Sequence, residues 1–248
     1  MSADLLQTAL ICVAILVIAF LYSSVGQAGA SGYIATIALF NFSPDVIRPT
    51  ALVLNILVAL IGSWQFYREG HFSFRLFLPF AAASVPLAFI GGHMQLPSHV
   101  FMVIIGAVLV VAAVPFFLAK ETGVEQVREP SVVVSLLVGA GIGLLSGLTG
   151  IGGGIFLTPL LLLFRWAPTR TAAAVSALFI LVNSLAAFSG YWGSSQRFPA
   201  FILVFAVPAI VGGVIGSRLG SRYLPVGIIR RLLGVVLAIT GLKLIIFR

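Results

Sequence analysis

The sequence predicts an all-α polytopic membrane protein of two homologous halves, with eight long transmembrane helices and two short glycine-led half-helices. Three observations predict it. Of the 248 residues, 60% are hydrophobic and 8% charged, against roughly 25% charged in an ordinary soluble domain. A water-facing shell cannot be assembled from so few charges, which excludes a soluble enzyme. The apolar residues gather in runs long enough, at ~1.5 Å per residue, to cross most of a ~30 Å hydrocarbon core. Two further runs are too short to cross as helices alone, and each follows a glycine-rich break. The fourteen Lys and Arg outnumber the six Asp and Glu, for a net charge of +8. They sit singly or in pairs between apolar runs, as the flanks of membrane spans do, and form no patch that would grip nucleic acid.

The first run, Leu5 to Tyr22, has Asp4 as its only flanking charge, and no Lys or Arg precedes Arg48. A cleaved secretory signal wants a basic start and a small-residue cleavage site, so this segment is expected to remain as the first span. Cys12 inside it reads as a small packing residue. Further long runs are Pro49 to Tyr67, Leu76 to Gly92, Val100 to Ala119, Val132 to Leu148, Thr171 to Gly190, Phe198 to Ser217 and Val226 to Ile246. The short ones are Gly29 to Phe42 and Gly154 to Phe164. Lys120, Glu121, Glu125, Arg128 and Glu129 crowd one stretch between them. Residues 1–118 are thus read as a first membrane repeat, 119–131 as a charged cytoplasmic linker and 132–248 as a second repeat.

The halves echo each other. Pro44 pairs with Pro168, Trp64-Gln-Phe-Tyr67 with Phe188-Ser-Gly-Tyr191, Pro86 with Pro208 and Pro97 with Pro225, at offsets between 122 and 128. Internal duplication is common in transporters. The basic residues arbitrate between parallel and inverted copies. If both short pieces are re-entrant, Lys and Arg divide seven against seven. If each short helix with its glycine leader completes a crossing, Arg68, Arg75, Lys120, Arg128, Arg165, Arg170, Arg218, Arg222, Arg230 and Arg231 share one side. Arg48, Arg197, Lys243 and Arg248 take the other, and ten against four is a positive-inside bias. Inverted repeats with a cytoplasmic linker and both termini outside are therefore expected. Tyr22, Trp64, Tyr67, Trp166, Tyr191, Trp192 and Tyr223 are read as headgroup-level aromatics, with Tyr33 deeper.

The breaks carry the chemistry. The second reads Ser146-Gly-Leu-Thr-Gly-Ile-Gly-Gly-Gly154 and the first Ser23-Ser-Val-Gly-Gln-Ala-Gly-Ala-Ser-Gly32. Glycine permits left-handed backbone and close approach of a ligand. A helix starting after each break points its free amides back into it. Such an N-terminus carries roughly half a positive charge, so a small anion suits the place. Two opposed N-termini meeting near the midplane would hold it, with Gly26, Gly29, Gly32, Gly150, Gly152, Gly153 and Gly154 lining the backbone. Ser23, Ser24, Gln27, Ser31, Ser146 and Thr149 are side-chain candidates, and Asn55 and Asn183 are polar residues inside the helices that follow. Tight helix packing and hydrogen bonds to helix backbone are the competing readings. Arg48 and Arg170 are expected as anion-attracting mouths, or else as interfacial anchors.

The segments Gly150-Ile-Gly-Gly-Gly-Ile-Phe-Leu-Thr-Pro-Leu160, Ser176-Ala-Leu-Phe-Ile-Leu-Val-Asn-Ser184 and Val211-Gly-Gly-Val-Ile-Gly216 resemble the TauE/SafE sulfite exporter family of the TSUP permeases. So do Gly26-Gln-Ala-Gly-Ala-Ser-Gly-Tyr33 and Pro49-Thr-Ala-Leu-Val-Leu-Asn55. The resemblance covers nearly the whole chain. It implies an inner-membrane carrier of sulfite, sulfonates or other small sulfur-containing anions. The first break departs from the second in placing Ala28 and Ala30 among its glycines.

No carboxylate lies within a span, and His71, His93 and His99 lie at loops. A proton relay is therefore not expected, and neither a metal nor a cofactor is called for. Downhill export by alternating access is the leading expectation, with an uptake permease or channel for another small anion as the alternative. An intramembrane serine protease using Ser31, within Gly29-Ala-Ser-Gly32, is the rival from a different class. It would need a base within hydrogen-bond reach. The bilayer and a small anion are the expected partners, and the oligomeric state stays open.

Overall fold

The computed structural model describes residues 2–94, 96–118, 127–195 and 202–220, together with 238 and 242. Its described elements are helices: α1 (Ser2–Ser23), α2 (Ala30–Leu39), α3 (Pro44–Arg68), α4 (Phe74–His93), α5 (Ser98–Leu118), α6 (Val132–Thr149), α7 (Gly154–Leu163), α8 (Thr169–Ser195) and α9 (Ile202–Gly220). Six of them, α1, α3, α4, α6, α8 and α9, are long and apolar enough to cross a membrane. The chain is thus a multi-pass helical membrane protein. The expected Val226–Ile246 span lies outside the described residues apart from two positions, as do Lys120, Glu121, Glu125, Arg197 and Tyr223.

Helix α3 begins five residues earlier than the hydrophobic run suggests. Pro44 stands in its first turn with Asp45 beside it, a favoured start because the missing proline N–H would lack a partner there anyway. Pro49 lies inside the helix and withholds the amide that would bond the carbonyl of Asp45. The Tyr191 hydroxyl of α8 donates to that carbonyl at 3.3 Å. A neighbouring helix thereby satisfies what the proline leaves open.

Two helix pairs are built by glycine. Gly139, Gly143 and Gly147 of α6 lie against the carbonyls of Phe80, Ser84 and Ala88 of α4, where any added Cβ would collide. Gly212, Gly216 and Gly220 of α9 lie in the same way against Leu16 and Phe20 of α1 and Ser24 just after it. Spacing by four puts each triplet on one helix face, and small residues let backbones touch where no hydrophobic effect drives association. Between the α4–α6 and α1–α9 pairs run α3 and α8, packed on each other and the most enclosed of the candidate spans. The outer face of α1 leaves Leu5, Leu6, Leu10 and Val13 exposed, as a lipid-facing surface does.

The short helices α2 and α7 have ten residues each, about 15 Å of rise. The amide of Arg128, just ahead of α6, donates to the carbonyl of Arg165, just after α7, at 2.9 Å. The stretch from Gly150 to Arg165 therefore returns to the end at which α6 begins.

Candidate functional site

Each short helix starts one residue after a left-handed glycine. Gly29 (φ 98°) caps α2 and Gly153 (φ 80°) caps α7, a conformation that costs an L-residue roughly 1–2 kcal/mol. Without a capping side chain at either position, the first amides of both helices face into the breaks.

Asn55 joins the two. Its Oδ1 accepts from the amide of Ala30, the first residue of α2, at 3.2 Å. Its Nδ2 donates to the carbonyl of Ile151 in the second break at 3.1 Å and to Ser184 Oγ at 3.0 Å. The side chain is 1% exposed and lies so close to Gly152 that an added Cβ there would collide with it. The breaks thus meet at one buried amide. Asn183 sits elsewhere. Its Nδ2 donates to the carbonyl of Phe179 in its own helix at 2.8 Å, and its Oδ1 accepts from Ser84 of α4. Ser184, one residue on, faces the meeting point instead, because successive helix positions are turned about 100° apart. A lone polar pair in an apolar helix signals a buried contact, but the sequence does not say which member makes it.

The other candidates divide. Ser31 Oγ donates to the Tyr22 hydroxyl at 2.9 Å, and the Tyr33 hydroxyl donates to the carbonyl of Ala28 at 2.7 Å. Tyr33 also fills the space beside Gly29, and Ile18 and Tyr22 fill that beside Gly32. Thr149 donates to the carbonyl of Leu145 and Ser24 to that of Leu21, so both hydroxyls are engaged by the backbone of the helix that leads into each break. Ser23 Oγ, Gln27 Oε1 and Ser146 Oγ are buried with no hydrogen-bond partner, and so is Ser176 Oγ, which the sequence reading passed over. Ser146 lies beside Gly153, and the Ser176 carbonyl lies beside Gly154, whose own free space is closed by Ile180. Gly26 abuts Ala173.

Of the two arginines expected at mouths, Arg170 is exposed and Arg48 is not. The early start of α3 sets Arg48 more than one turn inside the helix. Its guanidinium donates to the carbonyls of Gly91, Gly92 and Met94 at the end of α4 and of Gly147 in α6, at 2.6–3.0 Å. Two of the aromatics expected at headgroup level are also interior. Tyr22 is 1% exposed, and Tyr191 is 5% exposed with its ring centroid 5.6 Å from Arg48. Both rings have interior polar partners for their hydroxyls, so neither needs the interface. Trp64, Tyr67 and Trp192 are exposed.

At the end where α4, α6 and α8 begin, a cavity of about 520 Å³ is lined by Ser73, Arg75, Glu129, Ser131, Trp166 and Thr171 among others. Arg75 and Glu129 form an ion pair at 2.9 Å with both side chains largely exposed. Solvent limits such a pair to about 0–1 kcal/mol.

Helical spans around two glycine-capped short helices, cross-linked by a buried amide, describe a membrane transporter. Comparison with known proteins agrees and identifies the kind. The chain belongs to the sulfite exporter TauE/SafE family, whose profile matches residues 11–244. It is 42% identical over 239 residues to the "Probable membrane transporter protein y4hK" of Sinorhizobium fredii, covering 95% of this chain and 97% of that one. "Probable membrane transporter protein YjnA" of Bacillus subtilis is 23% identical across 89% of this chain and 92% of its own length. "Sulfite exporter TauE/SafE family protein 1" of Arabidopsis thaliana is 34% identical over 126 residues, 49% of this chain and 27% of that one. No solved structure matches. The chain is a transporter and not an enzyme, so Ser31, whose hydroxyl donates to Tyr22, is no protease nucleophile.

Proposed function

We propose that the protein exports a small sulfur-containing anion, sulfite or an organosulfonate, from the cytoplasm across the inner membrane. Alternating access would turn around the two half-helix N-termini. The observation that carries this reading is Asn55, which ties the first amide of α2 to the Ile151 carbonyl of the second break and so brings the starts of both short helices near one place. Buried Ser23, Ser146 and Ser176 hydroxyls without partners add donors of the kind an oxyanion needs. The family, and the printed name of the Arabidopsis relative, favour sulfite as the first substrate to try.

An inverted arrangement of residues 1–118 and 132–248 is supported by the return of the second break to the start of α6, which a re-entrant loop would not make. With Arg48 withdrawn into the interior, the basic split between the two sides becomes ten against three, which favours a cytoplasmic linker. The cavity beside Arg75 then serves as the cytoplasmic vestibule. One negative charge leaving a negative cytoplasm releases about 2.3 kcal/mol per 100 mV, so no coupling ion is required.

Proteoliposomes loaded with sodium sulfite test this. Efflux should accelerate when valinomycin and a potassium gradient make the lumen negative. Sulfite flux that ignores voltage removes the electrogenic mechanism, and absence of sulfite flux alongside flux of another anion removes the substrate.

A further inference from the structure

Arg48 of α3 is the one buried cation among the described residues, and helix packing does not use all of its donors. Its Nη1 donates to Met94 O at 2.9 Å, and its Nη2 to Gly91 O and Gly147 O at 2.6 Å and to Gly92 O at 3.0 Å. These carbonyls end α4 or lie in the last turn of α6, where a helix has no further amides to offer. The Tyr191 ring flanks the guanidinium. One orientation is therefore imposed on a planar, permanently charged group.

Nε has no partner at all, although the residue is only 5% exposed. Leaving a charged group's donor buried and unbonded is costly. The Arg48 stem runs along the second break: an added Cβ on Gly150 would lie 3.3 Å from Arg48 Cγ, and Nε is two bonds beyond that carbon. Ser146, one turn back on α6, carries a second orphan.

The geometry points to Arg48 as a ligand of the transported anion, its Nε–H donating to an oxygen of a small oxyanion such as sulfite or a sulfonate seated at the second break. This assignment rests on the breaks forming the anion site. The four carbonyl bonds hold the guanidinium in place, and Nε is its nitrogen without a protein partner. The anion then meets a full positive charge at the second break. At the first, Gly26 abuts Ala173, which supplies none.

Protein labelled with 15N at arginine Nε, in lipid nanodiscs, tests the contact directly. The Arg48 Nε–H resonance is identified by its loss in R48K, and sodium sulfite is titrated against sodium chloride at matched ionic strength. The expected result is a saturable shift of that resonance following the Kd measured independently by radiolabelled sulfite binding. R48K should weaken sulfite binding by about tenfold or more, and R48Q should abolish the sulfite-induced rise in Tm. A helix clamp alone would lower the baseline Tm while leaving the Nε resonance and the sulfite Kd unmoved, and that result overturns the assignment. Because the resonance is read in the unmutated protein, a variant that fails to fold does not block the test. If the unmutated protein binds no sulfite or methanesulfonate, the anion-site reading fails first and the role of Arg48 falls with it.

Discussion

The first and second breaks share a frame: a helix ends, left-handed glycines turn the chain, and a ten-residue helix starts behind a glycine cap. Around the first, the side-chain bonds are mostly local. Tyr33 closes onto Ala28 and Ser31 onto Tyr22, so residues 22–33 largely hold themselves. Around the second, the partners come from distant helices: Asn55 on Ile151, and Arg48 on Gly147. A self-closed segment and a cross-braced one respond differently to mutation, even where their backbones look alike. The first is tied to α3 by the Ala30–Asn55 bond, whereas moving the second breaks bonds from both Asn55 and Arg48 of α3.

The comparison can be broken most severely at Gly152. Its φ of 79° and the immediate presence of Asn55 and Ser184 leave no room for a side chain. Gly152→Ala should cost about 3 kcal/mol or more, as left-handed strain plus a displaced polar network, and should abolish flux. Gly29→Ala at the first break meets only the Tyr33 ring and Ile18, at 3.0–3.3 Å, and should cost about 1–2 kcal/mol. Thermal unfolding of both in detergent measures the gap, and equal losses would mean that the breaks are equally constrained.

A finer probe is the asparagine pair. Asn55→Ala removes one bond to each break and a third to Ser184, and about 2–4 kcal/mol with at least a tenfold fall in flux is expected. Asn183→Ala removes one bond within its helix and one to Ser84, for about 1–2 kcal/mol and flux within a few-fold of the parent. Similar flux defects in the two would erase the distinction. Smallest is Ser31→Ala, which loses one local hydrogen bond worth about 1 kcal/mol and should transport normally. A large flux defect there would bring the first break's own side chains into the substrate site.

Helix placement was highly legible, since a bilayer demands long apolar runs with few charges and the chain obeys this closely. The starts of α2 and α7 were legible for a similar reason: glycine runs are unusual enough to mark where backbone leaves the helix. The residues around the site were harder. Asn55 and Asn183 look alike in the sequence, yet only Asn55 bridges the breaks, because rotation of α3 and α8 about their axes decides which way each amide faces. Ser176 and Ser184 went unnoticed for the same reason.

The sequence by itself determined that the chain lives in a membrane, that glycine-led short helices interrupt it, and that carboxylates such as Asp45 keep to the ends of the described spans or to the segments between them. These are properties of composition and order along the chain, which solvation enforces residue by residue. Only the tertiary structure decided that the breaks meet at Asn55, that Arg48 leaves the interface for the interior, and that α4–α6 and α1–α9 close through backbone contact. Those outcomes depend on which faces of distant helices meet, and a linear pattern constrains the face that leaves water far more than the partner it finds.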